Sequence, residues 1–345
     1  MLLGVVIIVF FLFNVLPGDP ARMMLGQRAD VSSIEAINKD LGRDRSLPVQ
    51  FLFYLNDLSP ISFHNQSDSS DILFFNGDKY GSGITLLPLG SKRVFVLKKP
   101  YLRRSYQSGR KVSELLLDAL PGTMVLAFSS MLFASLVGLF LGIVSALYKH
   151  SWVDRLSMVL AVLGMSVPSF FAGIIIAWVF GFLLSDYTGL HMTGGLYSST
   201  VFGGEVLQLK NLILPTLTLG IRPLAVIVQL TRSAMLDVLS QDYIRTARAK
   251  GLGFRRIVLK HALRNALNPV VTAISGWFAS LLAGAVFVEF IFGWKGVGKV
   301  TVDALEKYDL PVVMGAVLVV AMIFVIINIL VDILYGIFDP RIRIQ

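Results

Sequence analysis

The sequence predicts an all-α polytopic membrane protein with six transmembrane helices, both termini in the cytoplasm, and a long extracytoplasmic segment between helices one and two. Three observations lead there. Hydrophobic residues make up 55% of the 345 and charged ones only 15%, a balance too apolar for a soluble domain of this length. The apolar residues gather in runs long enough to cross about 30 Å of hydrocarbon, which takes roughly 20 helical residues. The lysines and arginines gather between particular runs, and that asymmetry orients the chain.

The N-terminal run MLLGVVIIVFFLFNVL comes first, and residues 1–16 are assigned to a shortened first helix. Its roughly 15 apolar residues would rise only about 23 Å. No basic segment precedes it and no small-x-small pattern follows at PGDPA, so it does not read as a cleaved signal. Residues 17–120 form the extracytoplasmic segment. Within it Ser32 and Glu35 make a capping box and Gly42 a stop, which predicts a helix near 33–41. HNQSDSSD (64–71) reads as a solvated loop, NGDKYGSG (76–83) as turns, and RVFVL as one of several short apolar runs.

Residues 121–345 are assigned to a five-helix core, with spans at about 121–147, 156–184, 212–231, 269–292 and 311–335. Gly138 and Gly142 give the first of these a small-x-x-x-small face that lets helices approach closely. Pro168 is expected to bend the second, and Pro215 and Pro223 to interrupt the third. The loop at 232–268 carries Arg232, Arg245, Arg248, Lys250, Arg255, Arg256, Lys260 and Arg264 against Asp237 and Asp242, and the tail adds Arg341 and Arg343. The loops at 185–211 and 293–310 are balanced or slightly acidic. Basic loops stay in the cytoplasm, which places both termini and 232–268 inside and requires an even number of spans. The net charge of +9 is accounted for in this way, without a nucleic-acid partner.

Chemistry inside the membrane finds little support. The chain has no cysteine, hence no thiolate metal site or cysteine nucleophile. There is no H-E-x-x-H, and His64, His150, His191 and His261 fall in loops or at span ends, so no catalytic or metal-ligating residue is assigned. GWKGVGKVT (293–301) has the glycine and lysine spacing of a phosphate loop in Gly293, Gly298 and Lys299. The residue after the lysine is Val300, however, so the magnesium-binding hydroxyl is missing, and a span rather than a strand precedes the motif. It reads as a glycine-rich turn on the outer face, where Lys295 and Lys299 are available for rim contacts.

Polar groups within the spans carry more information. Thr218, Arg222, Gln229 and Ser233 recur at helical spacing, and Arg222 lies about 15 Å into its span. A cation there must face the bundle interior or water, so the stripe is either a pathway lining or a buried hydrogen-bond network. Glu289 near the outer end of one span and Asp332 near the inner end of the last are candidates for gating or for packing.

The most specific stretch is QDYIRTARAKGLGFRRIVLKHALRNALNP (241–269). Helix formers run through Ala249, Gly251 and Gly253 break the run, and a second helix starts near Phe254. In that helix Arg256, Lys260 and Arg264 form a basic face, with Phe254, Ile257, Val258 and Ala262 opposite. Such a helix can lie on anionic lipid, but the helix–Gly–helix hairpin favours docking to a protein. YIRTARAKGL followed by HALRNAL resembles the EAA loop of binding-protein-dependent ABC importer permeases, in the dipeptide/oligopeptide branch and its first-permease (B-type) line. LPGDPA, LPVQF, SGRKVSELLLDALPGT, WVDR, FVEFIFGWKGVG and LVDILYGIFDPRIR resemble that family in the expected order along nearly the whole chain. Aligned on Gly251, the chain departs from the general motif by placing Arg245, Thr246 and Ala247 at E-A-A and His261, Leu263 and Arg264 at I, L and P.

The resemblance implies a non-enzymatic transport subunit of the bacterial inner membrane that binds no cofactor itself, ATP and magnesium being held by partner ATPases. It implies a second homologous permease, two ATP-binding subunits, an extracytoplasmic substrate-binding protein and membrane lipid as partners. Arg245, Thr246, Ala247, Lys250 and Gly251 would couple to the ATPase, and family members begin with a basic segment and a full first span, so a start upstream of Met1 is expected. A secondary transporter or channel explains the Arg222 stripe equally well but gives no reason for the hairpin, and an intramembrane enzyme explains neither.

Overall fold

In the computed structural model, residues 1–15, 45–66, 71, 73–89, 93–199 and 204–338 are described. The helix expected at 33–41, the tail arginines and the side chain of Asp332 lie outside them. The chain divides into two compact units, Met1–Asp118 with Val300–Ala321, and Ala119–Lys299 with Met322–Gln345.

In the first unit, helix α1 (Leu2–Val15) buries Val9 and Phe10 against Tyr54, Met314 and Leu318. Helix α2 (Leu47–Leu58) starts with proline in its first turn, where the missing N–H would be unbonded anyway. An antiparallel sheet follows, so the expectation of an all-α chain is corrected: β1 (Ile61–Asn65), β2 (Ile84–Leu89) and β3 (Arg93–Leu97) pair in the order β1-β3-β2. The alternation of RVFVL buries Val94 and Val96. Pro88 lies on the outer strand β2, the position a residue without an N–H tolerates. The reading of 64–71 as solvated loop is corrected at its start. His64 faces inward from β1, fully buried, with Nε2 2.9 Å from Ser62 Oγ. Part of the 76–83 turn is one helical turn, α3 (Gly77–Tyr80), capped by the Asn76 side chain accepting from the Asp78 N–H.

Among its described residues the regular structure of the second unit is helical apart from the short pair β4 (Tyr197–Ser199) and β5 (Glu205–Leu207). Helix α4 (Val112–Leu147) begins ahead of the apolar run expected from about 121, and its residues fall in both units. The single span expected at 156–184 is instead two helices, α5 (Trp152–Ser166) and α6 (Ser169–Trp178, continued by a π-turn at Val179–Leu183), bent by 110°. The cause is local: Val167 precedes Pro168 and is held extended, at φ −80° and ψ 127°. After the single turn α7 (Ser185–Thr188), helix α8 (Lys210–Leu239) runs unbroken through Pro215 and Pro223, both buried, which corrects the expected interruption. α9 (Asp242–Ala249), α10 (Phe254–Arg256), a π-turn at Ile257–Ala262 and α11 (Leu263–Ile291) come next, then α12 (Val297–Glu306) and α13 (Leu310–Phe338).

By length and composition three described helices suffice to cross a membrane, or five if each bent pair is one span. The apolar Leu2–Leu12 stretch is shorter. The small face of α4 packs on α8 with no room to spare: a Cβ on Gly138 would lie 2.8 Å from Ile227 Cγ2, and one on Gly142 2.5 Å from Thr231 Cβ. Glycine is what lets these two helices approach so closely.

Candidate functional site: a basic hairpin and a glycine loop

The hairpin folds as its glycines dictate. Helix α9 ends at Ala249, and Gly251 takes the left-handed conformation at φ +74°. Two hydrogen bonds close the end: the Gly251 N–H donates to Arg248 O at 2.9 Å and the Leu252 N–H to Ala247 O at 3.3 Å. Leu252 packs against the cluster that buries Ala247, completing the hydrophobic contact usual for such a cap. Gly253 then starts the second helix, where Ile257, Val258 and Ala262 bury together with Ile244, Ala247 and Met235.

That packing sorts the expected coupling residues. Arg245, Thr246, Lys250 and Gly251 are exposed, whereas Ala247 is buried and joins the two helices, so it offers no surface to a partner. Arg245 lies 3.3 Å from Asp242, an exposed pair of little energetic weight. The basic face expected of Arg256, Lys260 and Arg264 is exposed. Phe254, expected on the apolar face opposite, is 61% exposed instead, because it opens the second helix ahead of the buried turn.

The hairpin stands on a lock that sequence reasoning missed. Asp154, 3% exposed, accepts from Arg232 Nε at 2.6 Å and Nη2 at 2.9 Å, from Ser145 Oγ at 2.5 Å and from the His150 N–H at 2.9 Å. The two-pronged arginine contact ties the start of α5 to α8 a few residues before the hairpin begins. The visible signal was Ser151 followed three residues later by Asp154, an acidic helix start, yet nothing local names Arg232 as its partner.

GWKGVGKVT does bind an anion, one supplied by the chain itself. Glu289, fully buried, accepts from the Gly298 N–H at 2.7 Å, the Lys299 N–H at 3.1 Å and the Thr123 hydroxyl at 2.6 Å. Thr123 Oγ1 in turn accepts from the Val297 N–H at 2.9 Å. The carboxylate thus occupies the N-terminus of α12, where a phosphate loop would hold phosphate. A Cβ on Gly296 would collide with the Glu289 carboxylate and one on Gly298 with Val286 Cα, at 2.4 Å. Trp294, 1% exposed, donates from Nε1 to Gly122 O at 2.9 Å, while Lys295 is exposed.

The four residues of the span stripe share one side of α8 but not one environment. Thr218 is buried, with its hydroxyl donating to Leu214 O at 2.9 Å. Arg222 and Ser233 are exposed on this chain and Gln229 is half-buried. No polar network joins them among the described residues.

The family model for the binding-protein-dependent transport system inner membrane component matches residues 138–344, and that for its N-terminal region matches residues 1–69. The chain is 38% identical to the probable D,D-dipeptide transport system permease protein DdpB of Escherichia coli (strain K12), over 98% of this chain and 93% of that one. It is also 38% identical to the glutathione transport system permease protein GsiC of Pectobacterium atrosepticum, over 99% and 94%. The dipeptide transport system permease protein DppB of Alkalihalophilus pseudofirmus is 35% identical over 99% and 95%. Among solved structures, the inward-facing MetNI methionine ABC transporter matches with a TM-score of 0.54 at 17% identity, over 66% of this chain and 97% of that one, a likeness of fold.

Proposed function

The chain belongs to the family of binding-protein-dependent transport system inner membrane components, and on that premise we propose that it carries short peptides inward with energy from ATP hydrolysed by partner subunits. It is an ABC importer permease of the bacterial inner membrane. The relatives named for dipeptide and glutathione transport support a peptide-class cargo. In this reading a second homologous permease completes the translocation path, two ATP-binding subunits hold ATP and magnesium, and an extracytoplasmic binding protein delivers cargo near the exposed Lys295. The reading takes the short α1 as a sixth span beside the five obtained by counting each bent pair once, and by the charge rule it assigns the hairpin to the cytoplasm and the segment between the first two spans to the outside.

One observation carries the coupling role: the hairpin packs as one unit whose apolar side is buried while Arg245, Thr246 and Lys250 stay exposed around the Gly251 turn. A cleft in an ATPase gripping that turn would transmit its closure to α8 and α11, which flank the hairpin in sequence. The chain's one phosphate-loop spacing is filled by Glu289.

Gly251→Asp tests the reading. A Cβ at Gly251 meets nothing within 4 Å, so the hairpin persists at a backbone cost of about 1 kcal/mol. The expected result in the reconstituted complex is normal membrane insertion with loss of transport and of transport-stimulated ATP hydrolysis. Full coupling in that variant would refute the assignment.

A further inference from the structure

The first unit contains a cavity of about 290 Å³ whose lining includes Asn76 and the α3 turn it caps. Asp57, Lys79, Tyr80, Tyr101, Arg103 and Arg104 are among its lining residues. Asp57 is buried, its Oδ1 accepting from the Tyr80 hydroxyl at 2.7 Å and facing Lys79 Nζ at 3.4 Å. The Lys79 ammonium also sits 4.8 Å and 5.2 Å from the Tyr80 and Tyr101 ring centres. The floor is stiff: buried Lys98 donates to Asp57 O at 2.7 Å, and the Tyr101 N–H donates to the same oxygen at 2.9 Å.

Arg103 stands apart in two ways. Its backbone is left-handed, at φ +66°, a conformation arginine rarely adopts and one that clusters at ligand clamps. Its guanidinium lies 5.5 Å from the Tyr54 ring centre, with no carboxylate within ion-pair distance and no hydrogen-bond acceptor among the described residues. Arg104, by contrast, donates to Gly109 O at 3.2 Å and Asp78 O at 3.3 Å. A stacked guanidinium lining a polar cavity is a planar fork for a carboxylate. The same cavity offers a carboxylate and two phenol rings, groups that receive an ammonium; in this structure Lys79 fills that place, with Lys98 Nζ 4.6 Å from the Tyr80 ring centre, and the Lys79 side chain, 31% exposed, is free to swing out to solvent. Lining charges of both signs disfavour a plain polyanion and match a molecule carrying both. The volume is at the low end for ligand pockets, which suits something no larger than a short peptide.

We propose that this cavity binds the charged end groups of a zwitterion, a free amino acid or a dipeptide, with Arg103 holding the carboxylate and Asp57 with the Tyr80 and Tyr101 rings receiving the ammonium in place of that of Lys79. The choice of ligand class rests on the peptide-transport reading, whereas the site itself does not. It adds a recognition point on the permease separate from the span stripe at Arg222.

The test is equilibrium dialysis of the full-length chain in phospholipid nanodiscs at pH 7 with labelled alanine and labelled alanyl-alanine. Saturable binding of one or both is expected, and which one binds distinguishes the two sources. Amidating the ligand's carboxylate or acetylating its amine should weaken binding at least tenfold. Arg103→Asn, a residue that tolerates the left-handed backbone, should do the same with an unchanged melting temperature, and Arg103→Lys should fall between. No saturable binding of either ligand, equal binding of the amide, or unchanged affinity in Arg103→Asn would each overturn the proposal. So would loss of binding in Arg222→Gln with retention in Arg103→Asn. Gly251→Asp should bind normally. If it also keeps full coupling in the assembled transporter, the transport reading fails while the cavity stands.

Discussion

Replacing Glu289 by alanine removes the acceptor for three donors in a buried place: the Thr123 hydroxyl and the N–H groups of Gly298 and Lys299. The hydroxyl can rotate toward another acceptor, but the two backbone N–H groups cannot. Each buried donor left without a partner costs about 1–3 kcal/mol, and relief from desolvating the carboxylate offsets part of the sum. A net weakening of the loop of about 2–4 kcal/mol follows. At 1.36 kcal/mol per factor of ten, hydrogen exchange of the 293–300 amides should accelerate by on the order of 10². Glutamine at 289 keeps a carbonyl oxygen for the two N–H groups, so Glu289→Gln should remain within about tenfold of the parent, a loss under about 1.4 kcal/mol. Exchange mass spectrometry of the full-length chain in detergent, reading peptides across the loop, measures both variants. If the alanine variant exchanges within threefold of the parent, the carboxylate does not hold the glycine loop and the reasoning is wrong.

Other consequences follow from the same geometry. Asp154→Asn strips the charge from a buried carboxylate with four hydrogen-bonded contacts, and should cost about 3 kcal/mol in thermal or denaturant unfolding, with Arg232→Lys costing less because the charge survives and only the fork is lost. Two glycines should respond to alanine for different reasons: about 3 kcal/mol at Gly142, where Thr231 Cβ and Val228 O leave no space, and about 1 kcal/mol at Gly251, where only the backbone objects. Lys98 has its pKa lowered to about 8, chiefly by burial, from 10.5 in the open chain. Between those values the unfolded chain binds more protons than the native one, so stability rises with pH across that window, by about 3 kcal/mol in full. Protection of the β3 amides, corrected for intrinsic exchange, should therefore increase from pH 8 to 10.5 in the parent and stay flat in Lys98→Met. Burial likewise lowers the pKa of His64, so acidification through the ordinary imidazole range should loosen the same sheet.

Much of this protein was legible without coordinates because the relevant physics is local. Run length and hydropathy mark the membrane class, since a helix must satisfy its own backbone in hydrocarbon. The hairpin boundaries at Ala249, Gly251 and Phe254 were readable because only glycine takes the left-handed turn cheaply. Gly138 and Gly142 announced a close helix crossing, and Pro168 a bend, by the same kind of steric rule. Pro215 and Pro223 showed the limit of such rules, because α8 continues unbroken through both, each buried by its neighbours.

What the tertiary structure alone decided was partnership. The sequence marked Glu289 as an ionisable group near a span end that must be satisfied, but not by whom, and it offered Arg232 only as one of the loop cations and Asp154 only as an acidic helix start. Packing chose Gly298, Lys299 and Thr123 for the first and joined the other two across 78 positions. It turned Ala247 inward and left Phe254 outside, although periodicity treats both as ordinary members of the hairpin. It also paired Ile61–Asn65 with Arg93–Leu97, bringing Asp57, Lys79 and Arg103 to one cavity from three separate segments. Local composition states what each group needs; only the folded chain, by excluding water and limiting which groups come within hydrogen-bond reach, decides which group supplies it.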